Sequence, residues 1–317
     1  FHDIGGPVEG RRWRDAIVTV KRDIALLGRV QAGPDSRVTV LDISLDRNRE
    51  DLLRILAAGA DVRWFDHHFA GELPRHPRLW ARIEPAPECS TSGLVDEHLE
   101  GRFRAWAVVG TFGDNLEATA RRLAASLGQP AAAVERLREL GILMNYNGYG
   151  ATVADLHVPP VELYRRLRPF AEPLDFVAQD EAFARLAAGY RDDMARVAQV
   201  RAELETATHG MYVLPAAPWA RRVSGVLANK LAQGARARAH ALLCRLPEGG
   251  YVVSVRAPLV RPVGADQLCR AFATGGGRAA AAGIDRLPED LLDAFTHAFT
   301  AAFPPGAPPP SAGTTAN

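Results

Sequence analysis

Between Val38 and Phe65 three segments follow one another across short connections. They are a β-branched run, Val38-Thr39-Val40-Leu41-Asp42-Ile43; a ten-residue stretch, Arg49 to Ala58, with apolar residues at helical spacing; and a second apolar run, Val62 to Phe65. A strand, a helix and a strand of these lengths form a βαβ unit, whose crossover obliges the two strands to lie parallel. Both then end at one edge of one sheet. That edge receives Asp42 from the first run and Asp66-His67-His68 from the second. Ser92 to Leu99 reads as the next helix, with Ser90 or Thr91 as its cap, and Ala105-Trp106-Ala107-Val108-Val109 as the next buried strand. Gly110-Thr111-Phe112-Gly113-Asp114-Asn115 follows as a loop, so Asp114 is predicted at the same edge. In open α/β sheets ligands bind beyond the carboxyl ends of the strands.

Carboxylates gathered in one crevice repel each other, and a divalent cation relieves that conflict. Carboxylate oxygens with a minority of imidazole suit harder ions such as Mn²⁺ or Mg²⁺, and two such ions can activate a water for phosphoryl displacement. Each residue alone has a plainer reading. Asp42 serves as a loop acid, His67-His68 as a turn with a packed imidazole, and Asp114 as the N-cap of a helix Leu116 to Leu127. Their common placement at three element ends favours the site.

Val18-Thr19-Val20 reads as a further strand, followed by Lys21-Arg22-Asp23. Lys21 and Arg22 either hold a nucleotide phosphate or form a solvated cluster opening a helix from Ile24 to Val30. Past residue 150 the character changes. Pro159-Pro160 and the prolines between 169 and 173 punctuate a helical connector, and Asp180 to Thr208 reads as one long helix. Before it, Asn145-Tyr146-Asn147-Gly148-Tyr149-Gly150 reads either as a base-stacking loop or as a packed turn, and Asp155-Leu156-His157 as structural.

From Met211 strands and helices alternate again: a helix Gly225 to Gln233, paired strands Ala239 to Cys244 and Tyr251 to Arg256, and a helix Gly264 to Phe272. Arg256 ends the second strand. Gly275-Gly276-Gly277 reads as a loop whose amides can approach a phosphate, with Arg278 adding a charged fork, or as a flexible turn.

At 317 residues the chain accommodates two domains, and its net charge of +1 gives no broad nucleic-acid footprint. A small nucleotide or short oligonucleotide suits that balance better than a long duplex. Three cysteines, Cys89, Cys244 and Cys269, lack zinc spacing and a paired count, which suits a reducing cytoplasm. No apolar run approaches a membrane span, and the residues from Pro304 to Asn317 read as a disordered tail.

Five ordered segments together resemble the DHH phosphoesterase family. They are Val40-Leu41-Asp42-Ile43, Phe65-Asp66-His67-His68, Cys89-Ser90-Thr91-Ser92-Gly93-Leu94-Val95, Gly110 to Asn115, and Thr274-Gly275-Gly276-Gly277-Arg278-Ala279-Ala280-Ala281-Ala282-Gly283. The last is similar to the glycine-rich signature of the DHH-associated C-terminal domain, found in nanoRNases, RecJ-like exonucleases and cyclic-dinucleotide phosphodiesterases. The resemblance implies an α/β fold with a parallel-sheet DHH domain (1–150), a helical connector (151–209), a smaller α/β substrate-binding domain (210–303) and the active site in the cleft between domains. It implies a cytoplasmic, manganese-dependent phosphodiesterase acting on short oligonucleotides or small, including cyclic, nucleotides through metal-activated water, with a homodimer as the expected assembly.

By the same resemblance Asp42 bridges two Mn²⁺ ions, His67 and Asp114 ligate one of them, Asp66 ligates or orients His67, and His68 faces the scissile phosphate. Lys21, Arg22, Arg256, Gly276, Gly277 and Arg278 contact substrate. The family places a histidine at the Arg278 position; arginine there implies binding rather than proton transfer. The family's first motif, two aspartates separated by one residue, has no counterpart before Asp42; Asp3, beside His2, is the nearest remnant. The start at Phe1 reads as a truncated or processed chain. Two alternatives follow: a catalytically impaired nucleotide-binding protein, and an inorganic pyrophosphatase sharing the DHH domain.

Overall fold

The computed structural model describes residues 16–20, 23 and 25–304. The chain divides into two compact units, Phe1–Gly189 and Tyr190–Asn317.

The first unit holds a three-stranded parallel sheet in the order β1 (Arg37–Leu41), β2 (Asp61–Asp66), β3 (Leu79–Ile83), with α1 (Arg49–Ala57) crossing from β1 to β2. Leu41 registers with Phe65 and the Asp42 amide donates to the Phe65 carbonyl at 3.0 Å, so the ladder runs one residue past β1 and sets Asp42 beside Asp66. Period-two alternation sorts the faces of β2. Val62 and Trp64 pack with Val40, Leu52, Ile55 and Leu56 on the α1 side, whereas Phe65 packs with Leu94 of α2 (Thr91–His98) on the other. Burying two such faces is what pins the register, since a slip of one residue would expose Trp64.

Helices complete the unit: α3 (Arg104–Gly113), α4 (Glu117–Ala125), α5 (Ala131–Tyr146), α6 (Pro160–Leu167), α7 (Pro173–Gln179) and α8 (Glu181–Val197), the last running into the second unit. Here several expectations fail. The run Ala105–Val109 is not a strand but the first half of α3, and the sheet's third strand is Leu79–Ile83 instead. Helix α3 buries Ala107, Val108, Val109, Thr111 and Phe112, because α2, α4 and α5 pack around it; a helix covered on several sides reads as a continuous apolar run, like a buried strand. Its crossing with α5 brings backbones together: a Cβ on Gly141 would lie 2.3 Å from the Val109 carbonyl oxygen. Residues 16–20 form no strand, and a 3₁₀ turn at Leu27–Arg29 stands within the helix expected from Ile24 to Val30. Tyr146, the last residue of α5, is fully buried with its hydroxyl 2.8 Å from His157 Nε2, so that tyrosine is a packing residue and not a base-stacking one, and His157 is structural.

The second unit is a six-stranded mixed sheet in the order β4 (Ala202–Glu205), β5 (His209–Leu214), β6 (Ala239–Arg245), β7 (Tyr251–Arg256), β9 (Ala281–Leu287), β8 (Gly275–Arg278), only β5 and β6 being parallel. Helices α10 (Ala265–Arg270) and α11 (Leu292–Ala302) cover one face through Leu268, Cys269, Phe295 and Phe299; α9 (Pro218–Gly234) lies against β6 and β7. The single helix expected from Asp180 to Thr208 therefore ends at Val197, and β4 takes its last part. Ala202-Glu203-Leu204-Glu205 alternates in burial as a strand should, a pattern too short to compete with the charged helical sequence before it. The Gly275–Gly277 segment is likewise a strand, at the sheet edge. Among the described residues no helix is long and apolar enough to cross a membrane.

Two buried histidines give this unit a pH dependence. Burial lowers the proton affinity of His209 and of His240, with the Arg238 charge adding to the effect at His240. Below the unfolded-state value near 6.5 the unfolded chain takes up protons that the native imidazoles refuse. Their contribution is thus complete above about pH 6.5 and is lost as pH falls through the native values. The unfolding midpoint is expected to drop between pH 7 and pH 5; a flat profile over that window would contradict the burial argument.

Candidate metal centre

Asp42, His67 and His68 offer ligand atoms that all lie within 4.8 Å of one another. Asp42 stands past the end of β1 with φ +58, a left-handed conformation that Asp tolerates better than most side chains. Thr91, the first residue of α2, donates its hydroxyl to Asp42 Oδ1 at 2.8 Å. Ser90 caps the same helix by accepting from the Gly93 amide at 3.1 Å, and its hydroxyl lies 2.7 Å from that of Thr111 on α3.

Asp66, at the last position of β2, is wholly buried. Its Oδ1 accepts from the His67 amide at 2.8 Å and from His68 Nδ1 at 2.7 Å, while Oδ2 has no hydrogen-bond partner among the described residues. In the neutral ring a proton on His68 Nδ1, donated to Asp66, makes Nε2 the nitrogen that would take a metal. His67 is set the same way, because Nδ1 lies 2.8 Å from the Cys89 carbonyl, an acceptor only. In the neutral ring its Nε2 faces Asp42 Oδ1 at 3.4 Å, acceptor to acceptor. A cation shared between them resolves that arrangement, and the partnerless buried oxygen of Asp66 adds negative charge beside it. The donors therefore fit a divalent ion, which Asp42, His67 and His68 would hold. The donor set contains two imidazoles and one carboxylate, richer in nitrogen than the expected oxygen-dominated set, which suits a divalent transition ion better than Mg²⁺. Cys89 contributes its carbonyl and not its sulfur; burial, with Glu84 and Glu97 nearby, pushes its thiol up.

Asp114 caps the C-terminal end of α3 rather than following a strand, and it is not a member of the three-residue group. Asp3, Lys21 and Arg22 lie outside the described residues. In the second unit Arg256 and Arg278 both register with Ala281, which puts them in one row across β7, β9 and β8 and on one face. Two strand spacings separate them, roughly 10 Å. Arg256 donates to Asn229 Oδ1 of α9 at 3.0 Å, and Arg278 is exposed. In the next row along the same face, Gly276 pairs with Gly283 as a floor without side chains. A Cβ on Gly275 would lie 1.6 Å from the Cys269 carbonyl oxygen and Gly277 has φ +137, so packing explains these two glycines. At Gly276 an added Cβ meets nothing within 4 Å, and packing does not explain it.

The Thr91 contact escaped sequence reading, since a threonine beside a helix start signals capping first. Thr91→Val keeps the shape and removes the donor. It is expected to weaken Mn²⁺ binding about tenfold, the lower end for groups that orient ligands, with the fold intact. Unchanged affinity by titration would remove Thr91 from the centre.

No protein-family model matches the chain. No curated protein matches it either. Among solved structures the fold is similar to that of the crystal structure of exonuclease RecJ bound to manganese, with a TM-score of 0.51 and 18% sequence identity over 84% of this chain and 74% of that one. At this identity the likeness establishes the shared two-part α/β fold.

Proposed function

We propose that this chain is a metal-dependent phosphoesterase of the DHH type that hydrolyses phosphodiester bonds in short oligonucleotides or small nucleotides. The observation that carries the reading is the Asp42, His67 and His68 group, assembled at the ends of two adjacent parallel strands with each imidazole tautomer set by a second acceptor. The fold shared with a manganese-bound exonuclease supports it. A divalent ion in this group supplies Lewis acidity to phosphoryl oxygens and water. The protein's part is to hold the donors rigidly: Asp66 locks His68 and the loop amide, and Thr91 fixes the Asp42 carboxylate. Arg256, Arg278 and the bare Gly276 floor are proposed to receive a nucleotide phosphate, for which arginine forks are suited.

One observation favours a second reading, a nucleotide-binding protein with impaired catalysis. Among the described residues a single three-donor group is found, enough for one ion where the DHH resemblance implies two. Incubation with Mn²⁺ and a panel of a linear dinucleotide, a cyclic dinucleotide, 3′-phosphoadenosine phosphate and pyrophosphate separates the readings. Hydrolysis of a phosphodiester that disappears in Asp42→Asn supports the enzyme. Nucleotide binding with bound Mn²⁺ and no product supports the second reading, and release of phosphate from pyrophosphate alone overturns the nucleotide substrate class.

A further inference from the structure

Immediately after the Asp66-His67-His68 turn stands the most exposed large hydrophobic residue described in the chain, Phe69, 77% accessible. Its surroundings are not loose. On one side His67 and His68 are tied to Asp66; on the other Ala70 is buried, and the Arg49 guanidinium donates to the carbonyls of Ala70 at 2.7 Å and Glu72 at 2.6 Å. Gly71, with φ +65, then turns the chain. The phenyl ring is thus presented to solvent by a loop clamped at both ends, one residue from the metal group. A large apolar ring held in water on a rigid support forgoes the burial that aromatic side chains normally gain. The residues that follow the clamp, Glu72 to Arg75, line a shallow hollow with Arg49 and Leu53, a surface that carries two guanidinium groups and one carboxylate and does not include Phe69 itself. An exposed ring on a rigid support, with a guanidinium group in the same loop clamp, is the kind of surface on which a base of a single strand stacks while its phosphate meets a cation.

We infer that Phe69 is a substrate-binding residue, a platform on which a nucleobase next to the scissile phosphate stacks. The inference rests on the phosphoesterase reading for its substrate class and names a determinant that reading lacks: recognition of the base as well as the phosphate. Stacking is indifferent to base identity, so the site would discriminate nucleotides from plain phosphoesters without reading sequence.

The test uses the full chain with Mn²⁺ and trideoxyadenylate, together with versions in which each base in turn is abasic or 2-aminopurine. In the unsubstituted protein, loss of one particular base should raise KM about tenfold. In Phe69→Ala the base-bearing and abasic substrates should become equivalent in KM, and Phe69→Trp should restore the difference. The 2-aminopurine emission should be quenched by the unsubstituted protein and by Phe69→Trp, and not by Phe69→Ala. Hydrolysis with the same base dependence in Phe69→Ala overturns the role of Phe69 and leaves the phosphoesterase standing. Quenching that depends on Phe69 without hydrolysis supports the platform and overturns the enzyme. Neither binding nor hydrolysis overturns both.

Discussion

Asp42→Asn is expected to lower Mn²⁺ affinity by about 100-fold or more and to shift the unfolding midpoint little. Groups that merely orient metal ligands are typically worth 10- to 100-fold in affinity, so removal of a ligating charge should reach at least the upper end. Asparagine is chosen because it is nearly isosteric and, like aspartate, tolerates the left-handed backbone that position 42 adopts at φ +58. The Thr91 hydroxyl retains an oxygen to which it can donate, and the Asp42 amide bond to Phe65 is untouched. What changes is the charge facing His67 Nε2. Titration of Mn²⁺ followed by electron paramagnetic resonance reads the loss directly. Affinity within threefold of the unsubstituted protein would show that the three-donor group does not bind the ion.

The largest stability effect is expected in the second unit, at Asp193. Its carboxylate accepts from Arg222 Nε at 2.8 Å and Nη2 at 3.0 Å, joining α8 to α9, and both side chains are at most 10% exposed. Truncating Asp193 to Ala removes the carboxylate that faces a buried guanidinium, a change that typically costs about 3–5 kcal/mol. Against total stabilities of roughly 5–15 kcal/mol, that is a large fraction. Replacing both partners, as Asp193→Leu with Arg222→Met, should cost less than Asp193→Ala alone, because no charge remains to be desolvated. Urea unfolding of the three variants tests the ordering. If the double variant is the least stable, the pair contributes net attraction and the argument fails. Helix α9 also carries Asn229, the partner of Arg256, so loosening it should disturb the proposed phosphate contacts as well.

Much of the first sheet was legible from residue pattern. Short β-branched runs flanking a stretch of helical spacing leave little choice but a parallel pair, and parallel strands carry their last residues to one edge. Asp42 and His67-His68 follow from that logic without knowledge of packing. Period and punctuation also marked β6, the turn after it and β7.

Other features depend on neighbours distant in sequence. Val108 and Val109 occupy a helix because α2, α4 and α5 surround it and Gly141 lets α5 approach; local pattern cannot distinguish that burial from the interior of a sheet. The strand Leu79–Ile83 is half-exposed at the sheet edge, where pairing with β2 rather than apolar content defines it. The glycine run is a strand because Gly275 lies under the α10 backbone and Gly277 against Ala282. The residue types that bind a cation could be read along the chain, since ligand chemistry belongs to individual side chains. Tautomer, carboxylate orientation and the exposure of Phe69 could not, because each is set by contacts such as Cys89 with His67, Thr91 with Asp42 and Arg49 with the loop after Phe69, at separations of 22, 49 and 21 residues.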